Sequence, residues 1–108
     1  MTIFLMISSL LHAQESKNTS ESFHVDGVCD MCKTRIENAA YIKGVKHCKW
    51  DKESKEITVV FNPEKVELIK IHESIAGAGH STDRVEADEE AYHKLPKCCA
   101  YKDGVHVH

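Results

Sequence analysis

Between residues 22 and 86 the spacing of apolar side chains switches back and forth between two and about 3.6 residues, which fixes an alternation of strands and helices. Ser22-Phe23-His24-Val25-Asp26 alternates apolar with polar and reads as a first strand, broken by Gly27. From Cys32 onward Ile36, Ala39 and Ala40 recur at helical spacing as far as Tyr41 or Ile42, and Gly44 closes the helix. Val45 to Trp50 is a second strand, Asp51 to Lys55 a charged turn, and Ile57, Val59 and Phe61 mark one face of a third strand. Pro63 opens a second helix with Asn62 as its N-cap, and Leu68, Ile71 and Ile75 form its apolar face, with Val66 and His72 flanking. Gly77 and Gly79 end it, and Ser81 to Val85 form a short fourth strand.

The order β-α-β-β-α-β is the ferredoxin-like split unit, an α+β two-layer sandwich with both helices on one face of the sheet. Strands one and four neighbour each other in that arrangement. The loop after the first strand and the loop Gly77–Ser81 therefore meet at one end of the sheet. Residues 87–108 form a C-terminal extension too short for a core of its own. Ala87 to Leu95 reads as a short acidic helix stopped by Pro96, followed by Cys98 and Cys99 and the ending His106-Val107-His108. Such a tail must dock on the domain, take part in a metal site, or stay mobile.

The N-terminus is of a different kind. Met1 to Leu11 is apolar but shorter than the roughly 20 residues a membrane-spanning helix needs. It is followed by Ala13 and a polar stretch from Gln14, which marks residues 1–13 as a signal peptide, although no Lys or Arg precedes Lys17. Residues 14–21 read as a disordered polar leader. The expectation is a periplasmic or secreted protein without stable membrane insertion after cleavage. A net charge of −3 leaves no basic stripe for nucleic acid.

Chemistry concentrates at Cys29-Asp30-Met31-Cys32, where extended chain gives way to helix. The chain has five cysteines, Cys29, Cys32, Cys48, Cys98 and Cys99, an odd number that a purely disulfide framework would not use up. Two thiolates three residues apart face one soft ion from the same side. A helix N-terminus favours their ionised form, because its free N–H groups and positive dipole end stabilise negative sulfur. Thiolates select Cu(I) and related soft ions, with Zn(II) also accommodated. A two-ligand site leaves the ion open to attack by an incoming thiolate, which suits handover; a closed four-ligand zinc site holds its ion. A thiol–disulfide redox role for the same pair and a Zn/Cd scavenger are the rival readings. Lys33 stands where haem attachment requires His. No Ser-His-Asp grouping or carboxylate dyad points to an enzyme.

The order of elements together with the Cys loop resembles the heavy-metal-associated domain, a family that includes copper chaperones, metal-binding modules of soft-metal P-type ATPases and a periplasmic mercury-binding protein. The resemblance covers residues 22–86. It is carried by Cys29 and Cys32 before a helix, Lys33 and Ile36 in its first turns, Gly44-Val45 before the second strand, and Ala76-Gly77-Ala78-Gly79-His80. It implies Cu(I), or else Zn(II), Hg(II) or Cd(II), bound by Cys29 and Cys32. The implied partner is a soft-metal transporter, P-type ATPase or other metal-accepting protein. Val28, where zinc-type relatives carry Asp, favours copper. Gly27 stands where the family has a Met packed beneath the loop, which implies a looser loop. His80 occupies the position of a family Tyr or Lys and is a candidate third ligand. Cys98 and Cys99 are candidates to cap the pair or to form a second site with His93, His106 or His108; the alternative is a disulfide, between the two or to another Cys, that pins the tail. Cys48 is expected to face the core; His24, His47 and His72 are expected to be surface or core fillers.

Overall fold

The computed structural model describes residues 17–103. Residues 1–13, expected to be a signal peptide, and the His106-x-His108 ending lie outside these residues. Strand β1 spans Thr19–His24, helix α1 Asp30–Ala40, β2 Val45–Trp50, β3 Glu56–Phe61, α2 Leu68–Gly77 and α3 Glu89–His93, followed by short 3-10 turns at Lys97–Cys99 and Tyr101–Asp103. The strands form one antiparallel sheet in the order β1-β3-β2. Helices and sheet build the ferredoxin-like α+β sandwich expected from the sequence.

The core is the meeting of the apolar faces. Ile57 and Val59 of β3, Ile36 of α1, and Ile71 and Ile75 of α2 are all fully buried. In β2 the register shifts between Val45 and His47. This bulge lets both Val45 and Trp50 point inward from a strand whose middle is exposed. Cys48 is only half-buried, and its thiol reaches the Glu37 carbonyl at 3.3 Å.

Three expectations are corrected. The leader does not run to residue 21: β1 begins at Thr19 and pairs from there with Phe61, because the central strand β3 extends far enough to offer it backbone partners. The second helix does not begin at Pro63. Asn62 accepts the Glu64 N–H on its side chain and the Lys65 and Val66 N–H groups on its carbonyl, so it closes a turn, and α2 starts only at Leu68. The fourth strand is reduced to a single antiparallel bridge, Val25 to Thr82. Thr82 curls the chain away by accepting the Arg84 and Val85 N–H groups on its hydroxyl, at 3.1 and 3.0 Å. That bridge still places residues 80–82 beside the end of β1, as the fold requires.

The extension is docked. The Asp88 N–H reaches the Ala76 carbonyl at the end of α2, and Asp88 caps α3 by accepting the Ala91 N–H. Gly79, at φ +105, lies so close under α3 that a Cβ there would sit 3.1 Å from the Ala91 carbonyl. The Tyr101 hydroxyl accepts the Ser81 N–H at 3.0 Å and donates to the Gly79 carbonyl at 2.8 Å. Leu95, Cys98 and Tyr101 pack against the core.

Candidate metal centre

Cys29 is the N-cap of α1, in extended conformation, and its carbonyl accepts the Lys33 N–H. Cys32 lies in the first turn and is fully buried. The two sulfurs are 3.4 Å apart. Beneath them sits Trp50, whose indole N–H donates to the Val25 carbonyl at 3.0 Å. A Cβ on Gly27 would meet Trp50 Cζ2 at 3.0 Å, Cys32 Cβ at 3.1 Å and Ile36 Cδ1 at 3.1 Å. The loop is therefore not loosened by Gly27; the indole from β2 packs against it there. Lys33 ties α1 to β2 by donating to Glu37 and to the Trp50 carbonyl. Glu37 also accepts the Trp50 N–H.

The docked tail brings Cys98 and Cys99 to the same place. Cys29 Sγ lies 3.3 Å from Cys98 Sγ and 3.2 Å from Cys99 Sγ, and the two tail sulfurs are 4.0 Å apart. Among the described residues, Cys29, Cys98 and Cys99 form the cluster of side chains compact enough to hold an ion. All these thiols are free, with separations far beyond the ~2.05 Å of a disulfide. Cys99 is fully buried, and the Arg35 guanidinium is 3.8 Å from its sulfur. Met31 is half-exposed at the rim, with its thioether 3.6 Å from Cys98.

These contacts divide the thiols by acidity. Burial opposes ionisation of Cys29, but contacts from Cys99, the Cys32 backbone N–H, Cys98 and the Cys32 thiol outweigh it and lower its pKa to about 7 from an ordinary 9.0. Cys99 is pushed up, first by burial and then by its contacts with Cys32 and Cys29. Cys98 is pushed up by its hydrogen bond to Cys29 and by burial. The cluster is thus a central, readily ionised sulfur with S–H donors around it.

His80 does not join this cluster. It is fully buried, its ring stacks on Tyr101 with centroids 5.7 Å apart, and its Nδ1 lies 2.8 Å from the Asp26 carbonyl. Because a carbonyl only accepts, Nδ1 carries the proton, and Nε2 is left buried without a hydrogen-bond partner. Burial lowers the His80 pKa, against the opposing pull of the Asp26 carbonyl. His80 supports the Cys loop from below through Asp26. His93 lies on α3, edge-on to the Tyr92 ring and apart from the thiol cluster. His24 is exposed and pairs with Asp26, and His47 is exposed on β2. His72 is a core filler stacked on Phe23 at 3.8 Å.

Arg35, Trp50 and Tyr101 were not singled out by the sequence reading. Arg35 had a signal, since it follows Cys32 by three residues and so shares its helix face. Trp50 and Tyr101 act through contacts across the fold that no local pattern announces.

A strand–loop–helix bearing two free thiols, on a ferredoxin-like sandwich, defines a class of small metal-handling domains. The heavy-metal-associated domain family matches residues 22–81, and the chain belongs to it. Among solved structures, it is similar to a CopZ metallochaperone, at 26% identity and a TM-score of 0.57 over 59% of this chain and 98% of that one. It is also similar to a copper binding domain from HMA7, a P-type ATPase, at 28% identity and a TM-score of 0.57 over 65% of this chain and 96% of that one. Oxidized MerP from Ralstonia metallidurans CH34 shares the fold, at 19% identity and a TM-score of 0.52 over 60% of this chain and 96% of that one. No curated protein matches significantly. Cys98 and Cys99 lie outside the residues the family matches.

Proposed function

We propose that this protein carries a soft metal ion, Cu(I) foremost, on the Cys29 and Cys32 thiolates, for transfer to a metal-accepting protein or for sequestration. The observation that carries this reading is the free thiol pair at the start of α1, with the Cys29 pKa lowered to about 7. At neutral pH a large share of Cys29 is thiolate, the form that binds metal. Thiolate donors favour Cu(I) over harder ions. The similarity to a CopZ metallochaperone and to a copper binding domain of a P-type ATPase supports copper as the cargo, and a P-type ATPase or other soft-metal transporter as the receiver. The apolar run before Ala13 supports an exported, periplasmic or secreted protein. The role is that of a carrier, without catalytic turnover.

The test is competition between the reduced full chain and a chromophoric Cu(I) chelator. One equivalent should bind tightly, and Cys29→Ser/Cys32→Ser should bind about 100-fold or more weaker, because each lost thiolate is a ligand held at high effective concentration. Equal affinity in that double variant would sink the reading. Reduction of insulin disulfides by the metal-free protein, abolished by Cys29→Ser, would replace it with a redox role.

A further inference from the structure

A two-sulfur site leaves its ion open, yet here the opening is filled. Cys98 and Cys99 reach Cys29 across a sequence separation of 69 and 70 residues, carried by a tail that is tied to the domain at Asp88 and Tyr101. A metal–sulfur bond of ~2.3 Å, the value for zinc thiolates, spaces the sulfurs of a tetrahedral set roughly 3.8 Å apart. The other three sulfurs stand 3.2 to 3.4 Å from Cys29 and the two tail sulfurs 4.0 Å from each other, so small side-chain rotations suffice to admit an ion among Cys29, Cys98 and Cys99, with Cys32 beside Cys29 as its neighbour in the pair.

We infer that the docked tail supplies Cys99 as a third thiolate, and Cys98 as a fourth, to the ion held by Cys29 and Cys32, so that the chain caps its own metal site. The inference rests on the reading of Cys29 and Cys32 as the metal pair. The order of the two tail ligands follows from their surroundings. Cys99 is fully buried, 3.2 Å from Cys29, with the Arg35 guanidinium 3.8 Å away to offset the charge that builds up as thiolates gather. Cys98 is half-exposed beside the neutral Met31 thioether. A monovalent Cu(I) ion neutralises little thiolate charge and takes Cys99 alone; a divalent ion such as Cd(II) also draws in Cys98. No electrons move in this step: sulfur–metal bonds form, and each thiol that was still protonated gives its proton to solvent.

Capping changes what the protein does with its ion. A receiving protein's thiolate cannot enter until the tail withdraws a sulfur, so release is governed by detachment of the tail. This feature is an addition to the family's domain, because the family match ends at residue 81.

The experiment titrates reduced full chain, Cys98→Ser/Cys99→Ser and Cys29→Ser/Cys32→Ser with Cu(I), and separately with Cd(II), against chelators. The tail variant should keep one-to-one stoichiometry but bind about 100-fold weaker, the advantage of a tethered ligand. Cys98→Ser alone should weaken Cd(II) more than Cu(I). A second measurement needs no variant. Alkylation of the wild-type chain, mapped by mass spectrometry, should show one equivalent of Cu(I) slowing the labelling of Cys99 together with Cys29 and Cys32, while Cys48 labels at an unchanged rate. If the tail variant binds both ions as tightly as wild type, or if Cu(I) leaves Cys99 labelling unchanged, the cap is overturned while the pair still stands. If Cys29→Ser/Cys32→Ser also binds as tightly as wild type, the pair itself falls, and the cap with it.

Discussion

Gly27 and Trp50 show how single residues set the shape of the Cys loop. The indole is 1% exposed and comes within 3.0 Å of where a Gly27 Cβ would stand, with Cys32 and Ile36 closing in from other sides. None of these neighbours lies at the surface, so none yields cheaply. Gly27→Ala should therefore overpack the loop, at a cost of about 1–3 kcal/mol. The gain from a less flexible unfolded chain, about 0.4–1 kcal/mol, does not offset this. A lower urea midpoint with unchanged slope is the expected result; an equal or higher midpoint would show that Trp50 has room to move. The glycine was legible in the sequence, but its meaning was not. Its filler comes from β2, more than twenty positions away, and apolar periodicity places Trp50 in the core without saying what it touches.

Among the elements, the C-terminal extension departs most from what local patterning conveys. Its helix and its Pro96 stop are readable, yet part of its docking runs through one hydroxyl that no local pattern announces. Tyr101 satisfies both the Ser81 N–H and the Gly79 carbonyl, and the ring stacks on His80. Tyr101→Phe keeps the ring and strands both backbone groups, costing about 1–3 kcal/mol. Local opening follows that cost, so the Ser81 amide should exchange with solvent about tenfold faster or more. Unchanged exchange would mean that the tail is held by its apolar contacts alone. The fourth strand belongs to the same scale. The Ser81–Val85 segment has strand-like composition, but the Thr82 hydroxyl takes the amides that a longer ladder would have used.

For the molecule as a whole, acidity is the lever the fold exposes. His72 and His80 are both buried with Nε2 unpartnered, and burial lowers both pKa values below an ordinary 6.5, against an opposing contribution from Asp83 at His72 and from the Asp26 carbonyl at His80. Below pH 6.5 the unfolded chain takes up protons that the folded chain refuses, so stability falls as pH falls, by up to about 1.4 kcal/mol per pH unit for each group. Glu37 is held low by Lys33 and the Trp50 N–H despite its burial, and its share is lost only below an ordinary 4.5, which leaves the intervening range to the histidines. Cys29 acts at the other end. In the reduced, metal-free protein its contribution is fully present above 9.0 and is lost as pH falls to about 7. Denaturation across pH should show both slopes, and His72→Gln should flatten the acidic one; an unaltered acidic slope would remove His72 from this account. By itself the sequence determined the alternation of strands and helices, the Cys29–Cys32 pair at the head of α1 and the family, because each is written in local spacing of side chains along the chain. Only the tertiary structure decided that Trp50 packs against the Cys loop, that His80 turns inward to Asp26, and that Cys98 and Cys99 close over Cys29. Those meetings are set by which surfaces pack together across tens of residues, and local spacing carries no information about that distance.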